Sequence, residues 1–201
     1  MRLSILGAAC SLFIMSLPTQ TSAQVVWDVP ALMRPGAPSG FSVLLLEAHP
    51  SDELGVLAAW RRSPAPVGLG LRGGLAEDSR GDLAGLFGAD VSGSLGTLEG
   101  AGDPGVIWWT GAGLGVGDDV VISFPLGLVI GWEAREESIT FMPYVGVHAS
   151  LDVFTGPGDD IDLDASVDLG LDMGFGSDFM VRFGVAVGGR DALGIGVRLP
   201  G

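Results

Sequence analysis

The most regular feature of the chain is a period of two. From Ile161 to Phe175 every odd position is apolar: Ile161, Leu163, Ala165, Val167, Leu169, Leu171, Met173 and Phe175. The intervening positions are Asp162, Asp164, Ser166, Asp168, Gly170, Asp172 and Gly174. Successive side chains of a strand point to opposite faces, so this segment predicts a strand with one apolar and one acidic face. The same alternation runs from Ile139 to Val153, from Val120 to Trp132, from Phe179 to Val187 and from Leu193 to Leu199. The first half is noisier, with strands predicted near Gly40–Ala48, Glu53–Arg62, Pro66–Leu75, Asp82–Leu95 and Gly105–Val116. Turn residues separate all of them, among them Ser63-Pro64-Ala65, Gly117-Asp118-Asp119, Ala134 to Glu137, Gly176-Ser177-Asp178 and Gly189-Arg190-Asp191.

Loop parity then fixes partners. A turn at Gly176-Ser177-Asp178 pairs Phe175 with Phe179 and brings Asp172 opposite Arg182 on one face. A turn at Gly117-Asp118-Asp119 pairs Val116 with Val120 and Leu114 with Ile122. The expected fold is all-β: a closed antiparallel up-and-down β-barrel of about ten strands, with eight as the alternative because the first two hairpins are weak. Residues 24–39, with Pro30, Pro35 and Pro38, read as a linker, and residues 40–201 as the barrel domain.

Alternation alone fits two barrels. A soluble one turns its apolar face inward; a membrane one turns it toward lipid and lines its lumen with the polar face. Three features favour the second. The strands approach the ~9–11 residues that cross a bilayer. The non-apolar faces are rich in Gly, and the chain contains no Lys, the residue that commonly protects solvated sheet edges. Trp60, Trp108, Trp132, Phe141, Phe175 and Phe179 fall near strand ends, as in an interfacial aromatic girdle.

Composition sharpens this reading. The chain has 201 residues, 34 of them Gly; 47% are hydrophobic and only 17% charged, with net charge −14 and mean hydropathy +0.47. Soluble domains carry about 25% charged residues, and disordered chains lack this apolar content. Arg2, the apolar run Leu3–Leu17, Pro18 and Thr21-Ser22-Ala23 match a signal peptide spanning residues 1–23, cleaved before Gln24. No later stretch is long and apolar enough for a membrane-spanning helix. Cys10, the single cysteine, lies inside the leader, so the mature chain has no thiol chemistry. Cleavage removes Arg2 and no acid, and so negative a chain repels nucleic acid.

On these patterns the chain resembles the small outer-membrane β-barrel proteins of Gram-negative bacteria, over roughly Gly40 to Leu199. The resemblance implies export across the inner membrane by the signal peptide, residence in the outer membrane, both termini in the periplasm, and outer-membrane lipid and the barrel-assembly machinery as partners. It departs at the end of the chain, Val197-Arg198-Leu199-Pro200-Gly201, where such barrels usually close on an aromatic residue. A monomer is expected, with no cofactor and no metal.

The polar face predicts a lumen network of Arg72, Asp90, Tyr144, His148, Asp152, Asp162, Asp164, Asp168, Asp172, Arg182 and Arg198, joined by Arg61. Stacked carboxylates repel one another, and the arginines supply counter-charge. A narrow barrel is filled mostly by its own side chains, which points to a structural or interaction role, or at most a narrow porin-like pore, without catalysis. Two alternatives remain. His148 and Ser150 share a face two residues apart, with Asp162, Asp164 or Asp152 to orient the imidazole. This looks like the outer-membrane lipid A deacylases, which use Glu and present the site to lipid, and it implies a lipid-modifying esterase. The other alternative is a secreted soluble barrel that binds an apolar ligand inside. The acidic Gly156–Asp160 loop and Arg80-Gly81-Asp82 read as solvated turns; a calcium site in the former lacks the spacing of a known calcium loop.

Overall fold

The computed structural model describes residues 33–48, 53–62, 67–77, 82–99, 103–117, 119–155, 160–176, 179–189 and 191–200. The signal peptide with Cys10 lies outside these residues, as do Arg80, Gly81 and most of the Gly156–Asp160 loop. The strands are β1 (Gly40–Ala48), β2 (Glu53–Arg62), β3 (Val67–Glu77), β4 (Leu83–Thr97), β5 (Gly105–Val116), β6 (Val120–Gly131), β7 (Ala134–Glu136), β8 (Ile139–Thr155), β9 (Asp160–Phe175), β10 (Phe179–Gly188) and β11 (Ala192–Pro200). Ten of them form a closed antiparallel ring. β6 bridges directly to β8, and β1 closes against β11 from Gly40↔Pro200 to Ala48↔Ala192. The eleventh strand, the short β7, pairs only with the start of β8. It occupies the segment expected to be a plain turn.

The hairpin registers follow from loop parity. Phe175 faces Phe179 and Arg182 faces Asp172; Val116 faces Val120 and Leu114 faces Ile122. Tracing paired residues once around the ring from Gly40 returns to β1 about 12 residues further along, a stagger that tilts the strands by about 40°. A single bulge at Ser94/Gly96 interrupts the β4–β5 ladder. Gly96 adopts φ +115° there, a conformation glycine reaches without a Cβ clash.

The two faces are sorted without exception at the positions that discriminate the architectures. Phe124, Leu169 and Val185 point outward, at 48%, 53% and 37% exposure. Their neighbours Ser123, Asp168 and Ala186 are buried inside. Several exterior aromatics gather at the end where β1 starts and β11 stops: Phe41 pairs with Trp60, and Phe175 stacks on Phe179 with ring centroids 5.2 Å apart. Trp132 is exposed at that same end.

The interior is not uniformly polar. Leu44, Leu46, Leu57, Leu86, Ile107, Trp109 and Val129 point inward from β1 to β6 and pack with Tyr144. Met33 joins them from the segment read as a linker. Residues 33–39 enter the lumen at the terminal end: Met33, Arg34 and Ala37 are buried, and Pro35 lies against Gly105 and Gly131.

Inward glycines make this filling possible. A Cβ on Gly170 would overlap the ring of its cross-strand partner Tyr144, and one on Gly127 would overlap Trp109. A Cβ on Gly70 would strike both members of the Arg61–Asp90 ion pair. The large inward side chains thus lie flat across glycines on the next strand. This is a packing reason for the high Gly content of the polar face.

Candidate functional site

The lumen divides by charge along its axis. The half near the chain termini holds Arg34, Arg61, Arg72, Arg182 and Arg198 with Asp90 and Asp172. The far half holds Asp152, Asp162, Asp164 and Asp168 with His148. In the terminal half, β9 presents Asp172, which is fully buried. Arg182 on β10 donates to it through Nε at 3.0 Å and Nη2 at 3.2 Å. Arg34 donates to its Oδ2 at 3.1 Å. Asp90 on β4 accepts from Arg61 at 2.5 Å and from Arg72 at 3.5 Å. Each acid is therefore shared by two guanidiniums, the arrangement that offsets the desolvation of a buried charge. The Arg61 guanidinium also reaches Ser92 Oγ at 3.3 Å.

In the far half, His148 Nδ1 lies 2.7 Å from Asp168 Oδ2. A carboxylate only accepts, so Nδ1 carries the hydrogen of this bond. Trp109 leans on the imidazole, with ring centroids 5.8 Å apart at 50°. Ser150 Oγ lies 2.7 Å from Ser123 Oγ and donates to Asp152 Oδ1 at 3.0 Å. Ser123 also bonds to Asp152. Asp162 is exposed and Asp164 half-buried, both on the inward face of β9 but at the rim.

The sequence-predicted set is thus brought onto one inner surface but not into one cluster. Arg72 and Asp90 form one pair, Arg182 and Asp172 a second, and His148 and Asp168 a third. Tyr144 crosses Gly170, and Arg198 shares a cavity with Arg61, Arg72, Asp90 and Arg182. A nucleophile needs its base within hydrogen-bonding reach. Here Ser150 bonds to Ser123 and Asp152 while His148 bonds to Asp168, so the serine and the histidine have different partners. Asp162 reaches neither through a hydrogen bond among the described residues.

Several lumen residues carried no local signal. Arg34 sits outside any alternating segment, and its partner Asp172 is 138 positions away. Trp109 is adjacent to the outward Trp108, and the pair hides its own alternation. Ser123 could have been found from its place on the polar face of β6.

These features define a class: a closed, up-and-down, ten-strand barrel with an apolar exterior and a charged, filled interior. No family model matches the sequence, and no curated protein matches it. Among solved structures, the crystal structure of Ail, the attachment invasion locus protein of Yersinia pestis, is similar at 11% identity, covering 80% of this chain and 93% of that one with a TM-score of 0.29. A likeness at that level bears on neither function nor partner.

Proposed function

We propose that the chain is an outer-membrane barrel with a structural or surface-interaction role, whose lumen is closed by its own side chains. The exterior carries this reading. Leucine, valine, isoleucine and phenylalanine cover the outside of every long strand, and each Å² of that surface removed from water into lipid contributes roughly 25 cal/mol. A soluble barrel with an apolar ligand site keeps its charges outside, whereas here Arg72, Asp90, Asp168, Asp172, Arg182 and Arg198 are buried inside beside the apolar cluster. The terminal-end aromatics support the same reading, since membrane barrels carry aromatic girdles at their interfaces. Met33, Leu44, Leu57, Leu86, Trp109 and Tyr144 obstruct the interior, which favours a structural role over solute passage.

The test is extraction of the full chain from cells that export it. It is expected in the membrane fraction, soluble only with detergent, and to migrate faster in gels when unboiled. A preparation that stays monodisperse in detergent-free buffer overturns the reading. In planar bilayers the protein is expected not to conduct, and steady single-channel current would replace the closed barrel with a narrow pore.

A further inference from the structure

Arg61, Arg72, Arg182 and Arg198 line one cavity near the terminal end, with Asp90 and Ser42. The cavity measures about 20 Å³, room for one or two atoms the size of a water oxygen. Its carboxylate is committed, since Asp90 accepts from Arg61 and Arg72. The nearby Asp172 is committed to Arg182 and Arg34. Among the described residues, two buried acids therefore face five guanidiniums in this half of the lumen.

Arg198 is the residue left over. It is 3% exposed, and its Nε and Nη2 reach no hydrogen-bond acceptor among the described residues. Its neighbours across the two adjacent strands are Ser42 and Met180, neither of which carries charge. A buried guanidinium that is always protonated needs an anion within reach. The surrounding cations make that need greater, because Arg72 and Arg182 add to the positive field in the same cavity.

We propose that this cavity is a binding site for a monatomic inorganic anion such as chloride, held by Nε and Nη2 of Arg198 within the field of Arg72 and Arg182. The space suits one ion centre. The ion neutralises part of the charge excess and stabilises the folded barrel by linkage, since an unfolded chain offers no such site.

The experiment follows urea unfolding of the full chain in detergent micelles, at constant ionic strength, as sodium gluconate is replaced by sodium chloride. Urea adds no anion, and gluconate is too bulky to enter. At a chloride concentration about 100 times its dissociation constant, the folded-to-unfolded ratio is expected to rise about 100-fold. Arg198→Gln is expected to lose this dependence. Ser42→Asp places a carboxylate opposite Arg198 and is also expected to be indifferent to chloride; it decides the matter if Arg198→Gln does not fold. An identical wild-type transition in the two salts, or a full chloride response in either variant, overturns the proposal.

Discussion

Removal of Arg182 tests the logic of the terminal half most directly. Arg182→Ala deletes both hydrogen bonds from β10 to Asp172 and leaves that carboxylate, fully buried, with Arg34 alone. Breaking a buried ion pair from one side costs about 3–5 kcal/mol. Arg34 retains one contact, and the excess of positive charge falls by one, so the loss is expected at the low end, about 3 kcal/mol. Asp172→Ala is the sharper perturbation, because it strands Arg34 and Arg182 together and raises the local excess. Its cost is expected at the high end, about 5 kcal/mol. The assay is urea unfolding in micelles followed by tryptophan fluorescence. A change below about 0.5 kcal/mol for Arg182→Ala, the range of an indifferent surface substitution, refutes the pairing. A larger loss for Arg182→Ala than for Asp172→Ala refutes the charge accounting.

Other predictions probe the exterior, the glycines and the far half. Leu169→Arg puts a charge on the outward face and is expected to cost about 2–4 kcal/mol for folding into lipid vesicles if it sits at mid-membrane depth; an unaltered midpoint speaks against lipid contact there. Gly170→Ala is expected to cost about 1–3 kcal/mol by overpacking against Tyr144. Combined with Tyr144→Ala it is expected to cost less than the sum of the two single changes, whereas strict additivity means the ring and the glycine do not meet. Ser150→Ala removes a bond to Asp152 and is expected to cost about 1 kcal/mol, with no change in the lipid profile of cells making the protein. A profile that changes with wild type and reverts with Ser150→Ala revives the esterase reading.

Much of the barrel was legible because a pleated strand has a period that sequence displays directly. The clearest stretch, Ile161–Phe175, lies within β9, and the short Gly176–Asp178 connection by itself implies the Asp172–Arg182 partnership. Legibility failed where both faces are apolar. In β1, Leu44 and Leu46 face inward between the outward Val43 and Leu45, so no alternation remained to read. It failed again where a contact spans the fold: Arg34 meets Asp172 only because residues 33–39 enter the ring. Asp162 and Asp164 share the inward parity of β9, but they lie beyond its last pair with β10, Gly188↔Ser166, where the β8–β9 hairpin runs past its neighbour to the rim. The pairing of Tyr144 with Gly170 depends on register across β8 and β9, which separates a packing glycine from a turn glycine only once the ladder is known.

The β1–β11 junction has a consequence for how the molecule is made. Most neighbouring strands are joined by short connections, whereas this one joins the two ends of the barrel sequence and waits on nearly the whole chain. Contacts of such separation form late, after the entropy of a long loop has been overcome. Met33 and Arg34 lie inside the ring a few residues before β1, so their contacts with β9 and the inner cluster are also of long separation. The last seam to close therefore behaves as a clasp, fastened only when nearly all the strands between its two halves are in place.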